Sequence, residues 1–443
     1  MESSKTENPA KKILLANFPA DGHFNPLTGI AVHLSNLGYD VRWYCSEGYA
    51  PKLKKLQIHH YPFKKAIDVS DGNFDKMFPG RQQYRTAVGK LRFDIIHAFI
   101  LRAPEYYTDI LDIYREFPFE LIIADCAFTA LPFVKELMKI PVLAIGVLPL
   151  TASSKDLPPS GLGMEPSYTF TGRMKQAAMR YLADRIIFKK PNRVMHQMLD
   201  QYGIPHDHES VFDMMIRKSD FLLQSGTPGF EYKRSDLGSN IQFIGALLPY
   251  RSATTKSQWF DNRVSCYRKI VLVTQGTVEK DIEKLIIPTL EAFKNSDTLV
   301  ICTTGGSQTD FLRAKYPSPN IIIEDYIPFN DVMPYAGVYI TNGGYGGVML
   351  GIENELPMVV AGSHEGKNEI NARVGYFGLG INLKTEKPSA VQIRQAVNQV
   401  LQDSRYREQV KKLAAEFREY RPEEMVAAYV KEILFGSVIS KAA

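Results

Sequence analysis

The chain has 443 residues, a hydrophobic fraction of 45%, a charged fraction of 23% and a net charge of +5. That length predicts two or three domains, and the composition is that of an ordinary globular protein with a large core. The basic excess is spread too thinly for nucleic acid, and no run reaches the roughly 18–20 apolar residues of a membrane span.

The four cysteines, Cys45, Cys126, Cys266 and Cys302, show neither metal spacing nor a disulfide framework. The N-terminal MESSKTENPAKK is polar and lacks the apolar core of a signal peptide. The expectation is a reduced, cytoplasmic, soluble protein.

The first predicted strand is Ile13 to Phe18, followed by the loop PADGHFN. Asn25 reads as an N-cap with Pro26 in the first helical position. Leu27, Ile30, Ala31, Leu34 and Leu37 then recur at helical spacing. Gly38 closes that helix, and Val41 to Cys45 is the next strand. The pattern returns with a strand at Leu121 to Ala124, a helix at Phe128 to Met138 and a strand at Pro141 to Ile145.

Residues 151–220 hold seven of the 14 methionines, interleaved with Tyr168, Phe170, Tyr181, Phe188, Tyr202 and Phe212. Two readings stand side by side. One is an adaptable apolar pocket; the other is an amphipathic helical hairpin packed on a sheet. Leu247 to Ser265 is polar and aperiodic, as a linker would be.

The second half repeats the first. Lys269 to Thr274 is a strand ending at Gln275-Gly276-Thr277, Ile282 to Phe293 a helix and Thr298 to Cys302 a strand. Further strands are Ile321 to Ile323, Val338 to Thr341 and Leu356 to Ala361. Strand and helix alternate throughout, which predicts two doubly wound parallel sheets. The last helix, Pro422 to Leu434, carries an apolar stripe of Met425, Val426, Tyr429, Val430 and Ile433 that must dock somewhere.

The stretch from Ile340 to Val360 carries the strongest chemical signal. A strand runs into Asn342 and four glycines, Gly343, Gly344, Gly346 and Gly347, and a helix follows. Glycines let the backbone approach a ligand, and a helix starting there points unpaired N–H groups at the loop. That arrangement suits a phosphate; a plain strand-to-helix turn is the alternative.

Two further residues share a rim. His23 follows the first strand and Asp125 ends a later one, and ligands sit outside the carboxyl ends of such strands. A carboxylate that orients a histidine makes a general base. No Ser or Cys nucleophile elbow accompanies them, so the proton removed would belong to a substrate hydroxyl. Separately, His23 can be a loop histidine capping the next helix, and Asp125 a strand-end cap. The remaining histidines show no ligand spacing: His59 and His60 are adjacent, and His206 and His208 flank an acidic loop. No metal site is expected.

Three stretches together resemble one family. GHFNP (Gly22 to Pro26), LIIADCAF (Leu121 to Phe128) and the run from Asp325 to Val374 are similar to the UDP-dependent glycosyltransferases, glycosyltransferase family one, as is FIGALLP (Phe243 to Pro249). The resemblance implies a GT-B fold, two Rossmann-like domains facing across a cleft. By that resemblance residues 1–246 take the acceptor, 247–265 link, 266–421 take the nucleotide sugar, and 422–443 return to the first domain.

The resemblance further implies His23 as base and Asp125 as its partner. Gly276, Thr277 and Asn342 to Gly347 would hold the diphosphate, and Tyr326 and Ile327 fall at the nucleobase. It implies an inverting transfer of a hexose from a UDP- or dTDP-sugar to a hydroxyl of a small apolar acceptor, with no cofactor beyond that co-substrate. No nucleic acid or membrane span enters as a partner.

Departures from the family pattern cluster at the donor site. Asn342 stands where the family has histidine, and Tyr326 where it usually has tryptophan. Leu350 replaces a ribose-binding glutamate, leaving Glu353 or Glu355 as substitutes. The family's sugar-binding Asp-Gln pair becomes Lys367-Asn368, with Glu365 and Glu369 nearby. A lysine cannot accept a hydrogen bond from a sugar hydroxyl, so Glu365 or Glu369 would take that part. These losses keep open a non-catalytic sugar-binding or partner protein, and a nucleotide-sugar epimerase or hydrolase. A nicotinamide dehydrogenase lacks its G-x-G-x-x-G in the first loop.

Overall fold

The computed structural model describes residues 10–70, 74–251, 259–276, 279–364 and 366–436. Seven strands build the first sheet: β1 (Lys12–Ala16), β2 (Asp40–Cys45), β3 (His59–Pro62), β4 (Leu121–Asp125), β5 (Val142–Gly146), β6 (Phe221–Ser225) and β7 (Ile241–Gly245). Their order is β3-β2-β1-β4-β5-β6-β7. Six strands build the second: β8 (Lys269–Thr274), β9 (Thr298–Thr303), β10 (Ile321–Glu324), β11 (Val338–Thr341), β12 (Met358–Val360) and β13 (Gly380–Asn382). Their order is β10-β9-β8-β11-β12-β13.

Every strand pair is parallel. Strands such as LIIAD and VLAIG are buried along their whole length. Helices cover both faces, so these strands read as continuous apolar runs. In each sheet the order reverses at one point, between β1 and β4 and between β8 and β11. Loops from those neighbouring strands diverge there and leave a crevice at their carboxyl ends.

Asn25 is not an N-cap. A one-turn helix, Asp21–Phe24, precedes it, and Asn25 continues in right-handed helical geometry at φ −58°. An N-cap needs an extended backbone, so helix Leu27–Asn36 starts instead from Pro26. Of the two readings of residues 151–220, the helical hairpin does not hold for residues 170–201. Helix Phe170–Ala183 runs through a π-helical turn, Asp184–Phe188, straight into helix Lys189–Gln201. Pro191 stands just after the junction and has no N–H for the usual helical bond, and the extra residue of a π-bulge keeps the chain helical there.

The terminal helix Pro422–Phe435 packs on the first domain. Val426 and Val430 are fully buried beside Leu27, Ile30, Leu34 and Trp43. Gly29 faces that helix: a Cβ there would lie 2.6 Å from Glu423 Oε1, the free end of a side chain that can turn aside. The predicted linker is divided between the domains. Tyr250 N donates to Thr28 Oγ1 at 2.8 Å, residues 252–258 lie outside the described residues, and Val264 joins the second domain's core. Among the described residues no helix is long and apolar enough to cross a membrane.

Candidate active site

His23 stands on the short helix after β1, and Asp125 is the last residue of β4. The β1–β4 pairing therefore brings together side chains 102 positions apart. His23 Nδ1 lies 2.6 Å from Asp125 Oδ1. Asp125 is fully buried and also accepts the amide of Phe18 at 2.6 Å and that of Ala127 at 2.8 Å. Asp125 caps no helix, because the next one starts from Ala130; the two amides belong to the loops after β1 and β4 and hold the carboxylate in place.

A carboxylate oxygen can only accept here, so Nδ1 carries the hydrogen and Nε2 keeps its lone pair in the neutral ring. Nε2 has no partner among the described residues, and 13% of the His23 side chain is exposed. The neighbouring Cys126 is packed against apolar side chains, and burial pushes its thiol up to about 12. It is a thiol rather than a nucleophilic thiolate.

Aromatic rings wall the same spot. Phe18 meets the His23 ring edge-on at 5.4 Å and stacks on Phe99 at 4.4 Å. Phe99 ends a π-helical turn, Ile95–Phe99, a feature frequent beside functional sites. Sequence reading passed over Phe99; its signal is a break in helical spacing that the apolar run conceals.

In the second domain Gly276 and Asn342 to Gly344 occupy the switch point between β8 and β11. Asn342 Nδ2 donates to the Gln275 carbonyl, and its Oδ1 accepts from Gly344 N at 3.4 Å. Asn342 thus ties the two loops together and keeps one amide hydrogen for other use. Helix Tyr345–Glu353 begins at once, and no side chain caps it. Its first N–H groups face outward with the positive end of the dipole. A Cβ on Gly346 would meet no protein atom within 4 Å, so space is open in front of those groups.

Gly343 is different. Its φ is +86°, and a Cβ would fall 1.8 Å from Asn371 Oδ1. Gly343→Ala is expected to lower stability by about 1–3 kcal/mol through backbone strain alone, and to weaken nucleotide binding as the loop shifts. Thermal melts with and without UDP check this; an unchanged melt and an unchanged UDP affinity would refute it.

Tyr326 is 72% exposed, with its hydroxyl donating to Gly305 O at 2.9 Å on the same rim. Ile327 is buried in the core, so only its backbone can meet a base. Leu350 is likewise core. Glu353 and Glu355 lie at the far end of helix Tyr345–Glu353 from the glycines, and Glu355 pairs with Arg418. Thr277 and Glu365 lie outside the described residues. Lys367 opens helix Lys367–Tyr376; burial works against the charge on the nearby Glu279, and its carboxyl is held low chiefly by the hydrogen bond from Lys284, with Lys367 adding a smaller part.

Asn368 and Glu369 are spoken for by the other domain. Asn368 Nδ2 donates to Gly161 O at 2.9 Å. Glu369 Oε1 accepts the amides of Gly161 and Gly163, both at 2.8 Å, and Oε2 pairs with Arg373 at 2.9 Å. The first turn of helix Lys367–Tyr376 therefore clasps an acceptor-domain loop, which sequence reading did not anticipate. Nearby, the Tyr345 hydroxyl donates to Ser225 O at the end of β6 at 2.7 Å. The carboxyl-end rims of the two sheets meet there.

A solved structure, the glycotransferase of kitacinnamycin, superposes with a TM-score of 0.75 at 17% identity, over 96% of this chain and 100% of that one. With two parallel sheets meeting rim to rim, this defines a GT-B fold. Residues 288–432 match the family model of the erythromycin biosynthesis protein CIII-like C-terminal domain. The 4'-demethylrebeccamycin synthase of Lentzea aerocolonigenes is 32% identical over 92% of this chain and 95% of its own. UDP-glucosyltransferase A1 of Starmerella bombicola is 26% identical over 95% and 92%. The chain belongs to glycosyltransferase family one, and it is an enzyme that transfers sugar from a nucleotide-sugar donor. That sets aside a non-catalytic partner.

Proposed function

We propose that the enzyme moves a hexose from a UDP- or dTDP-sugar to a hydroxyl of a small apolar acceptor, with inversion at the anomeric carbon. The observation that carries this reading is the 2.6 Å contact between His23 Nδ1 and Asp125 Oδ1. It leaves Nε2 as a base at the crevice.

The acceptor hydroxyl gives its proton to Nε2 as its oxygen bonds to the anomeric carbon. The bond from that carbon to the diphosphate breaks on the opposite face, through an oxocarbenium-like transition state. Asp125 stabilises the imidazolium that forms. The leaving diphosphate gathers charge against the N–H groups of Tyr345 to Gly347 at the uncapped helix start, so the reading names no cofactor beyond the co-substrate. The Phe18–Phe99 stack beside the base supports a flat, apolar acceptor. A cytoplasmic site of action belongs to the same reading, supported by four free cysteines.

The test is a screen of UDP- and dTDP-hexoses with a phenolic acceptor. Nucleotide release and glycoside mass are followed, and the anomeric configuration is read by NMR. An inverted glycoside is the expected product. Nucleotide release that ignores the acceptor would favour a hydrolase; a retained configuration would overturn the single-displacement chemistry.

A further inference from the structure

A second cluster of chemistry lies away from the cleft residues. His196, on helix Lys189–Gln201, meets His206 and His208 on the loop that follows. One ligand nitrogen from each of the three lies within 4.8 Å of the other two. The rings of His196 and His206 stack at 4.6 Å, and His208 stands edge-on to both at 5.4 and 4.8 Å. Sequence spacing gave no reason to group them, because a helix end and a turn intervene.

Hydrogen bonds fix how two of these rings face. His196 Nε2 lies 2.8 Å from the Glu209 carbonyl, which can only accept, so Nε2 carries the hydrogen. His206 Nε2 lies 3.1 Å from Asp200 Oδ1 and is a donor for the same reason. In both neutral rings Nδ1 therefore keeps its lone pair. On His206 that lone pair accepts the His208 amide at 3.3 Å, a long bond. A histidine that spends one nitrogen on a carboxylate or carbonyl and offers the other is the usual support of a metal-binding imidazole. The His206 side chain is only 4% exposed, whereas His208 is exposed. Asp207 and Glu209 add negative charge, partly answered by Arg217.

We infer that His196, His206 and His208 form a binding site for a first-row transition metal of the zinc, copper or nickel type, with water completing the shell. Imidazole nitrogen suits these ions and not magnesium or calcium. A tetrahedral zinc with bonds of about 2.0–2.1 Å needs nitrogens roughly 3.3 Å apart and in the plane of each ring, so on binding the His206 ring turns out of its stack on His196, the exposed Asp200 following it, and the exposed His208 closes inward. The ion clips the end of helix Lys189–Gln201 to the loop leading into helix Val211–Arg217. Both helices pack in one cluster through Met195, Met198, Val211 and Met214. A ligand held only by the folded state raises its stability.

The test uses the tag-free, chelator-treated full-length enzyme. Equilibrium dialysis against micromolar free Zn2+ should retain one ion per chain and raise Tm. His208→Asn should weaken retention at least about 10-fold and leave sugar transfer and the metal-free Tm unchanged. Asparagine is chosen because residue 208 has φ +57°, a conformation it tolerates. His206→Gln should lose retention as well. Three results would each overturn the inference: no zinc retained by the wild type at tens of micromolar free metal; both variants retaining zinc as the wild type does; or Mg2+ raising Tm as far as Zn2+.

Discussion

Replacing His23 by alanine is expected to lower turnover of a phenolic acceptor about 100- to 10,000-fold, the range for removing a positioned general base. The KM for the nucleotide sugar should move little, because His23 stands in the first domain and the glycine loop in the second. The fold should survive. His23 is only partly buried, and its side chain makes one hydrogen bond, to Asp125. The variant leaves the Asp125 carboxylate with its two amide donors from Phe18 and Ala127. A purified, folded variant that glycosylates at the wild-type rate would remove His23 from the mechanism. Asp125→Asn gives an independent check. Its NH2 must replace one oxygen that now accepts a backbone amide, from Phe18 or from Ala127, and it can no longer stabilise an imidazolium, so both activity and Tm should fall, the latter by the roughly 1–3 kcal/mol of a buried donor left unpaired.

Glu231→Ala is expected to cost about 3–5 kcal/mol of stability, the price of stranding a buried partner charge. Glu231 Oε1 sits 2.6 Å from Arg373 Nη2, with side chains only 6% and 3% exposed. It also lies 3.4 Å from Arg234 and accepts the amides of Tyr232 and Leu150 at 2.9 and 3.1 Å. Arg373 pairs with Glu369 and lies over the Tyr232 ring at 4.3 Å. Burial works against the charge on Arg373, and Glu231 and Glu369 outweigh it, so its pKa is raised. Arg234 is the reverse case, lowered chiefly by burial although Glu231 opposes this.

Removing Glu231 leaves two buried guanidinium groups short of countercharge at the junction of the domains. A denaturant midpoint within about 1 kcal/mol of the wild type would show that water reaches the pair. Joining Glu231→Leu to Arg373→Met should recover only part of the loss, since it removes the Arg373 charge but leaves buried Arg234 without Glu231 and Glu369 without Arg373. The same variants bear on the cleft. Arg373 holds Glu369, and Glu369 holds the Gly161–Gly163 loop, so losing Arg373 should loosen an acceptor-domain segment through a donor-domain helix.

The amino-acid sequence by itself determined the two parallel sheets, the rim to which each motif belongs, and the glycine turn at Gly343 and Gly344 that leads into a helix. These are local properties. Apolar runs of strand length, helical spacing between them and glycine at a positive φ are each written within a dozen residues. The particular contacts were decided elsewhere. His23 and Asp125 were legible as neighbours on a rim, but their 2.6 Å contact depends on β1 pairing with β4. The sequence suggested a sugar-binding part for Asn368 and Glu369, and the meeting of two domains turned both toward Gly161 and Gly163. Buried Met195, Met198 and Met214 fill a core where the sequence left a pocket open, and His196 found His206 and His208 across a turn. Each of these depends on which surfaces the packed sheets and helices bring into contact. Periodicity along a chain records which face of an element is buried; it holds no record of what the face is buried against.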